Sequence, residues 1–473
     1  MLFSSTVFVF AFLPVSLLGF FLVFRVLGRR AAMGWIALCS VFFYGYWRLD
    51  YLPLLLGSVA FNFFVSRRIQ TLVSQAAGPN PAAFAWTFFG VSANLGLLGY
   101  FKYFGFFVET VNDLTGQDFP TLSLVLPLAI SFFTFQQITY LVDSYRGVAK
   151  TATALNYMVF VTFFPQLIAG PIVHHKEMMP QFLKPSFGTF RARYMLLGLV
   201  TFSLGLFKKL IIADSLAVHA DQGFASVAEM TVLDAWLTTL SYTFQLYFDF
   251  SGYSDMAIGL ALMFGIRLPL NFLSPSKSTS IQQFWRRWHM TLSRFLRDYI
   301  YIPLGGGRRA PMRVASNLMI TFLLGGLWHG AGWTFLIWGA IHGAALVVGR
   351  VIGRWTRHVP RIIKWAVTFL IVHIGWVFFR AETVGDAWVV LGIMFGQSDA
   401  AANGPSHVVL TQSDMAAFWV VVALFIALAL PNTFQVTRDI RPFWKTLLAA
   451  ICFGAGCLAM LANKSQVFLY FNF

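Results

Sequence analysis

Long apolar runs alternate with short polar breaks almost from one end of the chain to the other. Apolar windows predict helices near 5–24, 33–47, 51–66, 84–101, 122–142 and 155–170. More follow near 193–213, 233–248, 254–267, 316–340, 363–379, 383–396, 415–430 and 445–462. Several are short for a hydrocarbon core of roughly 30 Å. The expectation is therefore an all-α polytopic membrane protein with about eleven crossings, plus re-entrant and interfacial pieces. Arg25, Arg29 and Arg30 follow the first run at once, which puts that loop in the cytoplasm and the N-terminus on the far side. The two halves share no repeat, which counts against a transporter built from inverted repeats.

Two stretches depart from simple spanning helices. In Phe163-Phe164-Pro165-Gln166-Leu167-Ile168-Ala169-Gly170-Pro171, helix breakers interrupt an apolar run. Either the segment is re-entrant and lines a cavity, or a helix ends at Gly-Pro. Residues 274–313 carry Lys277, Arg286, Arg287, Arg294, Arg297, Arg308, Arg309 and Arg313 against Asp298 alone. Aromatics at 284, 288, 295 and 299 share one helical face, which predicts a basic amphipathic helix in the cytoplasmic interface.

Composition reinforces this pattern. Of 473 residues, 58% are hydrophobic and 11% charged, whereas a soluble domain carries about 25% charged residues. Too little polar sequence remains for a separate soluble domain, so one membrane domain over 1–473 is expected. The net charge of +16 resides largely in short loops. Membrane lipid and the positive-inside rule account for it without nucleic acid. Met1 through Phe24 lacks a basic n-region and a cleavage site, and reads as a retained first helix. Cys39, Cys452 and Cys457 lie in apolar stretches without paired spacing, which argues against disulfides and zinc; no metal signature appears.

Candidate chemistry centres on histidine. His329 lies in Leu323-Leu324-Gly325-Gly326-Leu327-Trp328-His329-Gly330, inside an apolar run that continues to Trp338. An ionisable group at that depth faces a cavity or a polar partner. The neighbouring glycines admit a ligand or another backbone, and Trp328 suits the wall of a narrow channel. A plain hydrogen bond to a neighbouring helix is the alternative. His289, closing Phe284-Trp285-Arg286-Arg287-Trp288-His289, is the second channel candidate; His342 reads as a packing or hydrogen-bonding residue, and His373 is equally unusual in its apolar helix but has weaker neighbours. His174 and His175 fall in a polar loop. Asp214 is expected to pair with Lys209 or an arginine. Asp249 and Asp255 flank Ser251-Gly252, which reads as a helix break with Asp255 as a cap. No phosphate loop, nucleophile elbow or zinc-binding histidine pair appears.

The run Gln282-Gln283-Phe284-Trp285-Arg286-Arg287-Trp288-His289-Met290-Thr291-Leu292-Ser293, followed by Arg297-Asp298-Tyr299, resembles bacterial membrane-bound O-acyltransferases. So do Gly325-Gly326-Leu327-Trp328-His329-Gly330, the Leu246 to Asp255 stretch and Ile168-Ala169-Gly170-Pro171. The resemblance spans the chain and is strongest to the alginate and cellulose O-acetylation branch, with teichoic acid D-alanylation more distant. It implies a ring of helices around a thinned centre where funnels from both faces meet. It implies His329 as the catalytic histidine, His289 as the second, and Arg146, Asp214 and Arg308 as further polar positions tied to activity. The terminal Phe468-Leu469-Tyr470-Phe471-Asn472-Phe473 is of a type seen in that family; Tyr470 is a candidate acyl acceptor, with an aromatic interfacial anchor as the alternative.

The reaction so implied takes an acetyl group from cytoplasmic acetyl-CoA, or an acyl carrier protein, with no bound cofactor. Arginines of 286–309, Arg286, Arg287 and Arg308 among them, would hold the donor's phosphates. His329 would act as general base on a hydroxyl from the other face, and backbone amides beside Gly325 and Gly326 are candidate oxyanion donors. A periplasmic or membrane-anchored SGNH-type acyltransferase would complete O-acetylation of an exopolysaccharide at the bacterial inner membrane. A flippase or a membrane scaffold without chemistry is the competing expectation.

Overall fold

The structure, a computed structural model, describes residues 1–75, 78–121, 124–149, 151–353, 355–397, 413–462 and 468–469. Among the described residues every regular element is helical. The chain forms two compact units, Met1–Phe202 with Met256–Pro269, and Ser203–Asp255 with Leu270–Phe473. In chain order α1 is Phe8–Gly45, α2 Leu49–Ser74, α3 Pro81–Thr115 and α4 Ile130–Tyr145. Next come α5 (Ala154–Thr162), α6 (Phe164–Leu167), α7 (His175–Phe182), α8 (Ala192–Ala225) and α9 (Val232–Met263). The rest are α10 (Ile281–Trp285), α11 (Met290–Leu296), α12 (Pro311–His329), α13 (Trp333–Ile352), α14 (Arg361–Arg380), α15 (Val384–Met394), α16 (Ser413–Ala429), α17 (Thr433–Asp439) and α18 (Pro442–Leu461).

Among the described residues seven helices are long and apolar enough to cross a bilayer: α1, α2, α3, α8, α13, α14 and α18. The pair α16 and α17, bent by 50°, makes up to eight. The protein is a multi-pass membrane protein. The helix count departs from the window reading because adjacent apolar runs fuse or break in ways that hydropathy does not register.

In the first unit α1 is itself a hairpin. Gly28 adopts φ 80°, open to glycine without a Cβ penalty. Beyond it the chain returns, so that Trp35 Nε1 donates to the Ser16 carbonyl at 2.9 Å and Phe12 stacks on Phe42. The runs near 5–24 and 33–47 are its two arms. Helices α2 and α3 are joined by reciprocal amide bonds, Asn62 to Asn94 at 3.1 Å and Asn94 to Asn62 at 2.6 Å. Such bonds hold helices together where no hydrophobic drive separates helix from lipid. The Phe163–Pro171 segment is broken and buried throughout. Protein groups satisfy its freed backbone: Gln166 Nε2 donates to the Phe160 carbonyl at 2.7 Å, and the Phe164 N–H donates to Ser40 Oγ at 3.1 Å.

In the second unit the structure departs from several expectations. Ser251-Gly252 is no break, because α9 runs through it unbroken. Gly252 is there for contact: a Cβ would meet the Gly205 carbonyl oxygen at 2.8 Å and Lys208 Cβ at 3.2 Å. Asp255 is consequently no cap. It pairs with Lys208 at 2.6 Å and accepts from Thr433 Oγ1 at 2.6 Å. Residues 274–313 are not one amphipathic helix either. They form α10 and α11 with a left-handed residue, His289, between them. The aromatic pairing survives only locally, Phe284 on Trp288 and Phe295 on Tyr299. The 316–340 run also divides, into α12 and α13, at extended Gly330 and Gly332. Gly326 and Gly339 bring these two helices into backbone contact, since a Cβ on either would meet a carbonyl oxygen of the other helix, at 2.2 Å and 2.4 Å respectively.

Gly252→Ala should therefore lower stability by about 1–3 kcal/mol through overpacking against backbone. Gly96→Ala, in open space, should be neutral or stabilising. Melting temperatures in detergent test the contrast; equal shifts would remove the close-packing role of Gly252.

Candidate active site

The site is built on a short backbone pairing. The Leu273 N–H donates to the Arg287 carbonyl at 2.9 Å, and the Met290 N–H to the Asn271 carbonyl at 3.0 Å. Between these bonds the chain turns through His289 at φ 41°, a conformation uncommon for a residue with a side chain and held only where surroundings over-determine it. The turn buries His289 completely.

Asn271 determines what that imidazole can do. Its Oδ1 accepts from the Thr291 N–H at 3.3 Å and from Thr291 Oγ1 at 2.9 Å, while Nδ2 donates to Ser254 Oγ at 3.2 Å. A backbone N–H only donates, so the amide orientation follows from the hydrogen-bond network. His289 Nδ1, 3.1 Å from the same oxygen, must then carry the proton. Nε2 keeps its lone pair, and it has no hydrogen-bond partner among the described residues. Burial pushes the pKa of this ring down to about 3, so it is neutral across the physiological range.

His329 is the last residue of α12 and is 3% exposed. Its ring lies 6.4 Å from that of His289. Trp328, Trp338 and Phe379 surround it at centroid distances of 4.8, 5.0 and 5.2 Å. Phe250 packs edge-on against His289 at 4.8 Å. Two imidazoles thus share an aromatic enclosure, with the partial negative charge of the α12 carbonyl end beside one of them. Gly325 and Gly326 lie within α12, where helical bonding occupies backbone amides. They are packing residues, and the oxyanion role expected of their amides does not hold. His342 accepts from Trp285 Nε1 at 3.3 Å. His373 lies between Trp236 and Phe369 and bonds the hydroxyls of Thr239 and Thr243.

Asp214 meets Lys209 at 2.6 Å, and the same ammonium meets Asp249 at 2.9 Å. A widened helical turn over Lys208–Ala213 brings residues five apart onto one side. Asp249 also accepts the Leu469 N–H at 2.9 Å, while Phe468 stacks on Tyr253 at 4.4 Å. Phe468 and Leu469 are thereby fastened to α9, the helix that supplies Phe250. Tyr470 lies outside the described residues. Arg287 is half-buried, whereas Arg286 and Arg308 are exposed.

Arg146 belongs to the first unit, where its guanidinium lies 3.8 Å from Asp143. Asp143 Oδ2 is also 2.7 Å from His174 Nε2 and 3.0 Å from His175 Nε2. The two histidines read as loop residues therefore belong to a partly buried polar cluster. This is the group with metal-ligand spacing among the described residues. However, His174 Nδ1 accepts from the Lys176 N–H at 3.3 Å, which puts the ring proton on Nε2. The short contacts are then hydrogen bonds to the carboxylate, and a metal does not fit His174 in that tautomer.

A pair of buried histidines, one with an assigned lone pair, thus shares an apolar enclosure in a many-helix membrane protein. Comparison with known proteins gives the family. Residues 123–381 match the model of the MBOAT, or membrane-bound O-acyltransferase, family. The chain belongs to that family and is an acyltransferase enzyme. It is similar to a peptidoglycan O-acetyltransferase of Helicobacter pylori, 43% identical over 100% of this chain and 98% of the relative. It is also similar to the "Probable alginate O-acetylase AlgI" of Pseudomonas putida, 39% identical over 100% of both chains. A teichoic acid D-alanyltransferase of Bacillus subtilis is 25% identical over 56% of this chain and 71% of its own.

The pH dependence of stability follows from His289. Its folded pKa lies below the ordinary value of about 6.5, so the unfolded chain takes up the proton first. Its contribution is complete above about pH 6.5 and is lost as pH falls towards 3, at up to roughly 1.4 kcal/mol per pH unit. Unfolding wild type and His289→Gln in detergent between pH 7 and 5 should show a shallower slope for the variant. Parallel slopes would contradict the burial of a neutral imidazole.

Proposed function

We propose that the protein moves an acetyl group from a cytoplasmic thioester, acetyl-CoA in the first instance, to an acceptor hydroxyl presented from the opposite face of a bacterial inner membrane. The observation that carries this reading is the 6.4 Å pairing of His289 and His329 inside an aromatic enclosure, on a chain whose full-length relatives carry names of O-acetylation. The acceptor is a glycan of the class those names cover, a cell-envelope or secreted polysaccharide, and the N-terminus is periplasmic. A separate SGNH-type acyltransferase completes delivery.

In the proposed reaction the acceptor hydroxyl enters between the two rings. His329 removes its proton while the oxygen attacks the thioester carbonyl. His289, with Nδ1 tied to Asn271, offers Nε2 only as an acceptor, so it receives a bond from a neighbouring hydroxyl of the acceptor molecule and orients that molecule. The C–S bond then breaks, the thiolate takes the proton held on His329, and the ester leaves. Trp328, Trp338 and Phe379 exclude water that would otherwise hydrolyse the thioester. The Lys209–Asp214–Asp249 group acts indirectly, by holding α8 to α9 and, through Asp249, the chain end.

The test is acetyl-CoA turnover by purified protein, alone and with an added glycan acceptor. His329→Ala should reduce transfer by about 10²–10⁴-fold while remaining folded. Equal rates in both proteins would move the chemistry elsewhere.

Tyr470 is the proposed first acceptor, because the residue before it is anchored on α9 through Asp249. Tyr470→Phe preserves the ring and removes the nucleophile. Loss of transfer to the glycan, and of any acetyl label on the protein, is expected. Unchanged transfer would leave the aromatic end as an anchor.

A further inference from the structure

The loop 183–191, which joins α7 to α8, lies flush on α1 and turns two kinds of side chain outward. Gly188 adopts φ 80°, and a Cβ there would meet the Phe24 ring at 2.1 Å, so no side chain separates loop from helix. Phe190 packs edge-on against Phe21 at 5.6 Å, yet Phe190 is 61% exposed and Leu183 64%. Beside this apolar pair stand exposed Lys184, Arg191, Arg193 and Arg267. None of the four has an ion-pair partner among the described residues. Two of these cations are held in register. The Arg191 and Arg267 guanidiniums both lie over the Tyr194 ring, 5.3 and 5.1 Å from its centroid, and Arg267 also donates to the Tyr194 hydroxyl. The Arg267 backbone is fixed in turn: its N–H donates to Gln181 Oε1 at 2.9 Å, and its carbonyl accepts from Gln181 Nε2 at 2.8 Å. The ring attracts each guanidinium but leaves their mutual repulsion unneutralised.

We propose that Arg191 and Arg267, registered by Tyr194, bind the headgroup phosphate of an anionic membrane phospholipid whose acyl chain lies along Phe190 and Leu183. Guanidinium groups bind phosphate oxygens in paired bonds and neutralise their own repulsion in doing so. The exposed apolar pair decides the class of ligand. A free phosphate or a nucleotide has no use for it, whereas a lipid joins negative charge and apolar chain in one molecule. Composition agrees, since Leu183 to Tyr194 holds Lys184, Arg191 and Arg193 and no acid. Position agrees as well. Arg29, from the basic stretch that follows the first apolar arm, donates to the Leu183 and Lys184 carbonyls at 3.2 and 3.1 Å. The loop is thereby tied to the end of that arm, which in the proposed orientation is the level of the cytoplasmic headgroups. The site differs from the general attraction of basic loops to anionic lipid because two charges are fixed on one ring. It stands independently of the acyl-transfer reading.

Lipid retention by the purified full-length protein in detergent tests this, read by native mass spectrometry with added phosphatidylglycerol and phosphatidylcholine of matched chains. Wild type should retain phosphatidylglycerol in preference. Arg191→Ala/Arg267→Ala should weaken that retention by about tenfold, with phosphatidylcholine unchanged. Arg313→Ala/Arg441→Ala removes the same charge from exposed positions elsewhere and should stay near wild type. Tyr194→Leu keeps every charge and removes the ring that registers the pair. It should lose much of the preference, and it decides the matter even where the double alanine variant fails to fold. Equal losses in the two double variants would reduce the effect to general charge attraction and overturn the site, as would full retention in Tyr194→Leu. Displacement of the lipid by inorganic phosphate at fixed ionic strength would assign the same arginines to a free phosphate and remove the lipid.

Discussion

Backbone amides and carbonyls at membrane depth have no water to bond, and the departures from straight helix in this protein are shaped by which groups satisfy them. In the first unit, Gln166 and Ser40 serve the broken Phe163–Pro171 segment. In the second, the segments around Asn271 and His289 bond each other as a miniature ladder. That ladder needs only a few residues on each side, yet it holds a left-handed histidine, fixes an amide and presents a row of side chains to either flank. The active-site candidate occupies one flank of this arrangement. A single helix through 274–313 would have dispersed His289, Arg287 and the aromatics around a cylinder.

Charge at depth obeys the same rule. Lys209 lies between two carboxylates, and the surplus negative charge of Asp249 is taken up by the Leu469 N–H. Removing one member of such a group leaves a buried charge uncompensated, which costs far more than the intact group contributes. The arrangement therefore serves as a fastener: it joins two turns of α8, the middle of α9 and the chain end through groups that have no alternative partner in lipid.

Hydropathy made the class legible, because a spanning helix must be apolar along its whole length. It left helix number open, because the fusing of 233–248 with 254–267 and the folding back of α1 at Gly28 depend on neighbours rather than on local composition. His329 and His289 stood out as ionisable groups in apolar or aromatic surroundings. Asn271 did not: nothing in Pro269-Leu270-Asn271-Phe272 marks the amide apart from any loop residue. Its role comes from the Thr291 N–H and hydroxyl and the His289 ring, which arrive from about twenty positions away. His174 and His175 read as polar-loop residues for the same reason, since Asp143, their partner, lies some thirty residues earlier. Of the glycines in the His329 motif, expected to admit a ligand or another backbone, Gly326 meets the α13 backbone at Phe335, whereas Gly325 faces the Leu296 side chain and Gly330 the Phe335 ring.

The two histidines owe their difference to these contexts. His289 is neutral because it is sealed and because Asn271 already receives its only proton; nothing further can be donated from Nε2. His329 sits where α12 ends, facing aromatic rings and the polarity of exposed carbonyls. A base that gains a proton during reaction is better placed at that helix end than in a fully enclosed turn. In the proposed reaction the division of labour follows: His289 accepts and orients, whereas His329 carries the charge that develops. It also explains why the chain spends two extended glycines, Gly330 and Gly332, immediately after His329. They end the helix at the residue where its dipole is most useful, and they return the chain so that α13 can close the enclosure with Trp338.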